Sequence, residues 1–241
     1  MFPVASQALI EERILQKRTD TKFVIQSNKL ASVLEELKDN CAAITHNAQI
    51  ESDYKNLYFD TTDFQCLLDH QRGLRPRFKV RFRHHVSRKL SFFEIKKRCK
   101  DERTEKFRLD APFMHERLTD TELDFTKANA PLKHSALQPT LRIEFKRITL
   151  LSLLGKERIT LDNQLRFAAD GSSETWPNLA IIEVKQARFD PQTPSMKALQ
   201  KAGATKFSIS KYCLGASLVL PNADTNWYGH KIHFLRTRLN G

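Results

Sequence analysis

The sequence predicts an α+β fold, an eight-stranded antiparallel β-barrel with flanking helices, and three observations carry that expectation. First, four stretches place charged or polar residues at every second position: Arg77-x-Lys79-x-Arg81-x-Arg83, Glu94-x-Lys96-x-Arg98, Arg158-x-Thr160-x-Asp162 and Glu183-x-Lys185. Phe78, Val80, Phe82, Phe93, Ile95, Ile159, Leu161, Ile182 and Val184 alternate with them, so each segment has one apolar and one charged face at the strand period of two. Second, about eight strands follow one another mostly as chain neighbours, which favours antiparallel pairing. Third, no internal repeat, linker or low-complexity tract divides the 241 residues, so a single domain over 1–241 is expected.

The elements follow in order. Residues 6–17 have helix-forming composition and read as a lead helix. Thr19–Gln26 reads as a first strand, and Ser27 as the N-cap of a helix from Asn28 to Asp39 with Leu30, Val33, Leu34 and Leu37 on one face. A second strand, Tyr54–Asp60, is followed by Thr61-Thr62-Asp63, which can cap a short helix through Leu68. Phe78–Val86 and Leu90–Arg98 form a hairpin around Ser87, Arg88 and Lys89, and a further hairpin turns at Lys100-Asp101-Glu102 into Thr104–Leu109. Pro112–Pro139 is helical or irregular and packs on the sheet through Leu118, Leu123, Phe125 and Leu132. Strands resume at Leu141–Leu150, Arg158–Asp162, Leu165–Ala168 and Leu179–Gln186. Pro194–Ala202 reads as a helix ended by Gly203, and Ser210–Leu218 as a helix capped by Ser210. The basic tail over 221–241 is expected to pack its Trp227 back on the domain and is assigned no function.

Solvent-facing strands also alternate, but they have no reason to favour Arg and Lys over Ser, Thr and Gln in all four stretches. If the sheet curls, that face lines a lumen, and a charged lumen is costly to build without a ligand. The lining suits a multiply charged anion together with a divalent cation. Lys and Arg outnumber Asp and Glu by 40 to 28, a net charge of +12, which also favours an anionic partner without naming it.

Other classes are disfavoured. Glu11, Glu12, Arg13, Lys17 and Arg18 interrupt any apolar core of a secretion signal, and no apolar run nears the ~18 residues of a membrane span, so the chain reads as soluble and cytoplasmic. Cys41, Cys66, Cys99 and Cys213 are widely spread and read as reduced thiols, and adjacent His84 and His85 point to opposite strand faces, a poor chelating pair. The seven glycines form neither a phosphate loop nor a dinucleotide fingerprint. Nucleic acid is disfavoured because the basic residues fall at strand spacing among carboxylates that would repel a phosphate backbone.

An ordered set of short motifs then resembles a known family. Arg18-Thr-Asp20-Thr-Lys22-Phe23, Leu57-Tyr58-Phe59-Asp60-Thr61, Lys79-Val-Arg81-Phe-Arg83, Phe93-Glu94-Ile-Lys96-Lys97, Arg158-Ile-Thr-Leu-Asp162, Ile182-Glu183-Val-Lys185 and Ser210-Lys211-Tyr212 are similar to those of the VTC domain, the polyphosphate polymerase branch of the triphosphate tunnel metalloenzymes. The resemblance runs from about Arg18 to Gly215. It implies an eight-stranded tunnel in which basic residues grip the phosphates of ATP, a carboxylate holds Mn2+ or Mg2+, and the terminal phosphoryl group is added to polyphosphate. It also implies the roles of the residues. Arg81, Arg83, Lys96, Arg147 and Arg158 match the catalytic phosphate-binding set, Lys22 and Lys211 match substrate-binding positions, and Glu183 matches the metal carboxylate. Lys185 joins the substrate-binding candidates, and Glu94 and Asp162 the metal candidates, because they sit in matching motifs. Arg147 rests on the resemblance alone, since it lies out of parity with Arg142, Glu144 and Lys146.

The chain departs from the pattern where Phe145 stands at a usual Tyr and Ser208 at a usual Lys. Two alternatives therefore stay open: a tripolyphosphatase or nucleoside triphosphatase, and a non-catalytic polyphosphate receptor. Coupling to translocation would need a separate membrane protein as partner.

Overall fold

The computed structural model describes every residue except 14–18, 102, 133–136, 221–222, 224–225 and 240–241. Its eight longer strands are β1 (Thr19–Gln26), β3 (Glu51–Asp60), β4 (Arg77–His85), β5 (Leu90–Arg98), β6 (Thr104–Ala111), β7 (Gln138–Ser152), β8 (Glu157–Ala169) and β10 (Leu179–Gln186). Three short ones, β2 (Cys41–Ala43), β9 (Ser172–Trp176) and β11 (Thr205–Lys206), complete an eleven-stranded sheet among the described residues. Its order is β11-β1-β10-β8-β7-β3-β4-β5-β6, with β2 and β9 pairing off this path to β7 and β8. Every ladder between these strands is antiparallel.

Strand alternation sorts the side chains as the sequence requires. On the apolar face of β4 and β5, Phe78, Val80, Phe82, Phe93 and Ile95 are buried. They are covered by α4 (Asp120–Asn129), whose first turn is fixed by a capping box between Thr119 and Glu122. The matching face of β1, β7, β8 and β10 packs beneath α2 (Leu30–Leu37) and α5 (Pro194–Lys201), burying Leu30, Val33, Leu37, Ala198 and Leu199 against Ile159, Leu161, Ile182 and Val184. The other face of the sheet holds α6 (Lys211–Val219), which packs Tyr212, Cys213, Leu214 and Ala216 on Leu141, Ile143, Leu165 and Phe167.

The closed eight-stranded barrel is corrected. Strands β1 and β10 lie near one end of the sheet and β4 and β5 near the other, yet they line one cavity, so the sheet curls strongly. Among the described residues no strand pairing joins β5 or β6 to β1 or β11, so the curl stays open. The segment leading into α6 occupies the gap: the Phe207 amide donates to the Lys22 carbonyl of β1 at 2.9 Å, and Lys79 of β4 donates to Ser210 Oγ at 2.7 Å. A chain already placed between two sheet edges takes the room that a ladder would need.

Other expectations are adjusted locally. Arg158–Asp162 and Leu165–Ala168 are one strand, whose polar Asn163-Gln164 step is a bulge opposite β7, with Gln164 at φ 50°, rather than a turn. Ser27 opens a 3-10 turn over Ser27–Lys29 and makes no side-chain cap bond to α2. Ser210 does cap α6, accepting from the Cys213 amide, and Gly203 ends α5 at φ 72°. The lead helix is α1 (Gln7–Glu12), with 14–18 outside the described residues, and α3 (Gln65–Gln71) follows the Thr61 turn. The tail forms α7 (Gly229–Leu239), burying Tyr228, Leu235 and Leu239, with Trp227 packed on the same core. No helix of the described residues is long and apolar enough to cross a membrane.

Candidate active site

The charged face of the curled sheet carries most of the chemistry. On β4 and β5, Arg81 stands opposite Glu94 in register and donates to its Oε2 at 2.9 and 2.6 Å, while a third nitrogen reaches Tyr58 Oη at 2.6 Å. Arg83 donates to Asn56 Oδ1 at 3.2 Å and lies 3.5 Å from the same Glu94 oxygen. On β7 and β8, Arg147 faces Asp162 with hydrogen bonds of 2.5 and 2.7 Å, and Lys211 at the start of α6 binds Asp162 Oδ2 as well. Asp162 is 2% exposed, sealed by these two cations. Arg147 falls on this face because it shares the parity of Leu141, Ile143 and Phe145, which pack in the core around α6, and its guanidinium is 5.2 Å from the ring centres of both Tyr54 and Phe145.

The more open part of the site lies between β1 and β4. A cavity of about 380 Å³ is lined by Lys22, Lys79, Lys96 and Glu183 among others. Lys22 donates to the Ile209 carbonyl at 2.8 Å and Lys79 to Ser210 Oγ, but among the described residues none of Lys22, Lys79 and Lys96 has an ion-pair partner. Glu183 sits opposite Lys22 in register and is 2.8 Å from Lys185 Nζ, which is also 3.2 Å from Asp20. Arg158 lies opposite Lys185, on the face shared with Thr160 and Asp162, and its charge is felt at the Tyr54 hydroxyl.

Burial and the crowding of like charge shift the ionisable groups of the cavity. Enclosure and then Lys79 and Lys22 push Lys96 down to about 7, although its side chain stays open to the cavity, so the desolvation is that of a narrow cleft. Burial, with Lys22, Arg77 and Arg81, takes Lys79 to about 8. Burial and four neighbouring cations drive His70 to about 2, so this imidazole is neutral. Burial alone would raise Glu183, but Lys185, Lys22 and Arg147 together hold it well below the usual carboxylate range. Asp162 follows the same pattern under Arg147 and Lys211; burial and Arg147 still leave Lys211 lowered, outweighing its attraction to Asp162.

The VTC domain model matches residues 17–220. The chain belongs to the VTC domain family. Comparison with curated proteins found no match. Among solved structures, a Bacillus halodurans protein titled as a proposed adenylate cyclase is 13% identical at a TM-score of 0.53, covering 80% of this chain and 94% of its own. A Hippeastrum protein, titled as a proposed adenylyl cyclase with a dominant triphosphatase activity, is 12% identical at 0.51, covering 85% and 98%. These likenesses show a shared fold.

In this VTC domain the sequence-named strand residues share one face and α6 brings Lys211 to it, but in two kinds of environment: Lys22, Lys96 and Glu183 line the cavity, and the other named residues do not. Glu94 and Asp162 are engaged by arginines, whereas Glu183 and Asp20 line the open cavity with the Lys185 ammonium between them. Oxygen donors already sharing a cation suit a hard divalent ion, and one or two carboxylates suffice when phosphate oxygens and water fill the rest. No group of three or more His, Cys, Asp or Glu side chains that could hold a metal ion occurs among the described residues.

Several cavity residues were missed. Lys79 shares the parity of Arg81 and could have been chosen on that signal. Arg77, Arg98, Lys206 and His70 line the cavity from strand ends and α3, and Tyr228 and Lys231 reach it from the tail. Arg77 and Arg98 share the alternating lane of Lys79 and Lys96, whereas nothing in the spacing of Lys206, His70, Tyr228 and Lys231 foretells their arrival at the cavity.

Proposed function

We propose that this VTC domain transfers a phosphoryl group from ATP to polyphosphate in the basic cavity, with Mn2+ or Mg2+ as cofactor. The observation that carries the reading is the trio Lys22, Lys79 and Lys96, which face one cavity with no ion-pair partner among the described residues and depressed titration at two of them. Such a site is incomplete without a polyanion. Phosphoryl transfer asks the protein mainly for alignment and for neutralisation of charge on the moving group. The lysines supply mobile point charges, and Arg81, Arg83, Arg147 and Arg158 supply planar forks for pairs of phosphate oxygens. Lys211 and Lys185 extend the phosphate-binding set on either side. Glu183, with Asp20 beside it, would hold the divalent cation, whose contribution is to neutralise phosphate oxygens and fix their orientation. Glu94 and Asp162 hold the arginine forks in place, and Glu94, the more open of the two, is available as a further oxygen donor.

Hydrolysis is the second reading, favoured by Phe145, which presents no hydroxyl beside Arg147 to a phosphate acceptor. Incubation with ATP and Mn2+ separates the readings. Long chains on a stained gel establish the transferase, and phosphate release without chains establishes the hydrolase. Intact ATP despite tight polyphosphate binding makes the domain a receptor. A cytoplasmic setting and a separate membrane protein as partner belong to the same proposal.

A further inference from the structure

The family match ends at residue 220, yet the cavity does not. Lys231, in the first turn of α7, lines it together with Lys22, Lys79 and Lys96. Its Nζ donates to the Ser208 carbonyl at 2.6 Å and stands 5.1 Å from the Tyr228 ring centre and 5.8 Å from that of Phe207. Burial lowers its titration, Lys22 lowers it further, and among the described residues it has no carboxylate partner. A partly enclosed ammonium that faces three more and has no counter-ion is unfavourable in the empty protein.

The segment bearing it is firmly placed. Tyr228 is 1% exposed and its Oη accepts the Ser210 amide at 3.1 Å, while Ser210 in turn receives Lys79 and caps the helix that begins with Lys211. Leu235 and Leu239 anchor the far end of α7 in the core around α6. The described part of the tail therefore borders the cavity beside β1 and the segment leading into α6.

We propose that Lys231 contacts the phosphates of the bound substrate, so that α7 is part of the triphosphate site. The inference rests on the proposed phosphate-binding cavity. Its test is calorimetric titration of tripolyphosphate into the full chain carrying Lys231→Met, Lys231→Arg or no substitution, with the melting temperature of each empty protein measured alongside. Loss of one charge-assisted contact should weaken binding about tenfold in Lys231→Met. Lys231→Arg should bind nearly as tightly as the parent, and neither empty variant should melt lower. Parent-like affinity in Lys231→Met, with tight binding by the parent, would overturn the role of Lys231 and leave the cavity reading standing. Weak binding in Lys231→Arg as well as in Lys231→Met, with both melting lower than the parent, would reduce α7 to a structural support. No binding by the parent would remove both.

Discussion

Arg147 of β7 and Asp162 of β8 meet across the ladder in a two-point ion pair that Lys211 joins from α6. Two consecutive strands and a helix remote from them in sequence are thereby tied to one carboxylate that water scarcely reaches. Removing the charge with Asp162→Asn should leave two cations half-enclosed and unpaired. The expected loss of stability is about 3 kcal/mol, the low end for a broken buried pair because both cations keep some contact with water. Urea denaturation of the empty protein measures it. An unchanged midpoint would mean that Asp162 is not needed to hold the arginine and lysine.

The lysine pKa values set a pH dependence. Lys96 and Lys79 are depressed from 10.5 to about 7 and about 8, so between those values and 10.5 the unfolded chain holds more protons than the folded one. Stability of the empty protein therefore rises with pH across that window, and the penalty is full below about 7, where both lysines are charged in either state. Tripolyphosphate affinity should run the other way, falling as pH rises from 7 to 9. Melting curves with and without ligand test both signs, and parallel curves would sink the idea.

A polyanion should relieve the repulsion among Lys22, Lys79 and Lys96. Tripolyphosphate is expected to raise the melting temperature well above the shift that chloride gives at equal ionic strength, through preferential binding to the folded state. Equal shifts from the two salts would argue against a built phosphate site.

Glu183→Gln should abolish metal-dependent turnover of ATP while the melting temperature of the empty protein stays within a few degrees, since Lys185 keeps Asp20 as a partner. Arg83→Ala should weaken triphosphate binding roughly tenfold by removing one charged fork. Full activity in both variants would move the reaction elsewhere.

Gly215 places the α6 backbone directly on the sheet: a Cβ there would lie 2.5 Å from Phe167 Cδ1 and 2.9 Å from Leu141 Cδ2. Gly215→Ala should cost about 1 to 3 kcal/mol by overpacking and loosen the seat of Lys211. A stability equal to the parent would show that α6 can lift from β7 and β8 without penalty.

The charged lane was legible because it is local. Parity along β4, β5, β8 and β10 assigns Arg81, Arg83, Glu94, Lys96, Asp162, Glu183 and Lys185 to one face, and a strand cannot present them otherwise. The strand positions, the caps at Ser210 and Gly203 and the resemblance to the VTC domain follow from residues a few positions apart. Arg147 needed the family pattern, since parity within its own charged run chose the opposite face.

What the chain order could not convey is what fills the space between the two ends of the sheet. Whether β1 pairs with β6 or stops short depends on the volume taken by Phe207–Ser210, α6 and the tail. That volume is a sum over side chains of segments remote in sequence, with no periodic signature of its own. The same packing decided that Glu94 and Asp162 pair with arginines while Glu183 stays at the open cavity, because the depth of a carboxylate is a property of its neighbours in space. It also brought Lys231 beside Lys22, two residues joined only by the completed fold.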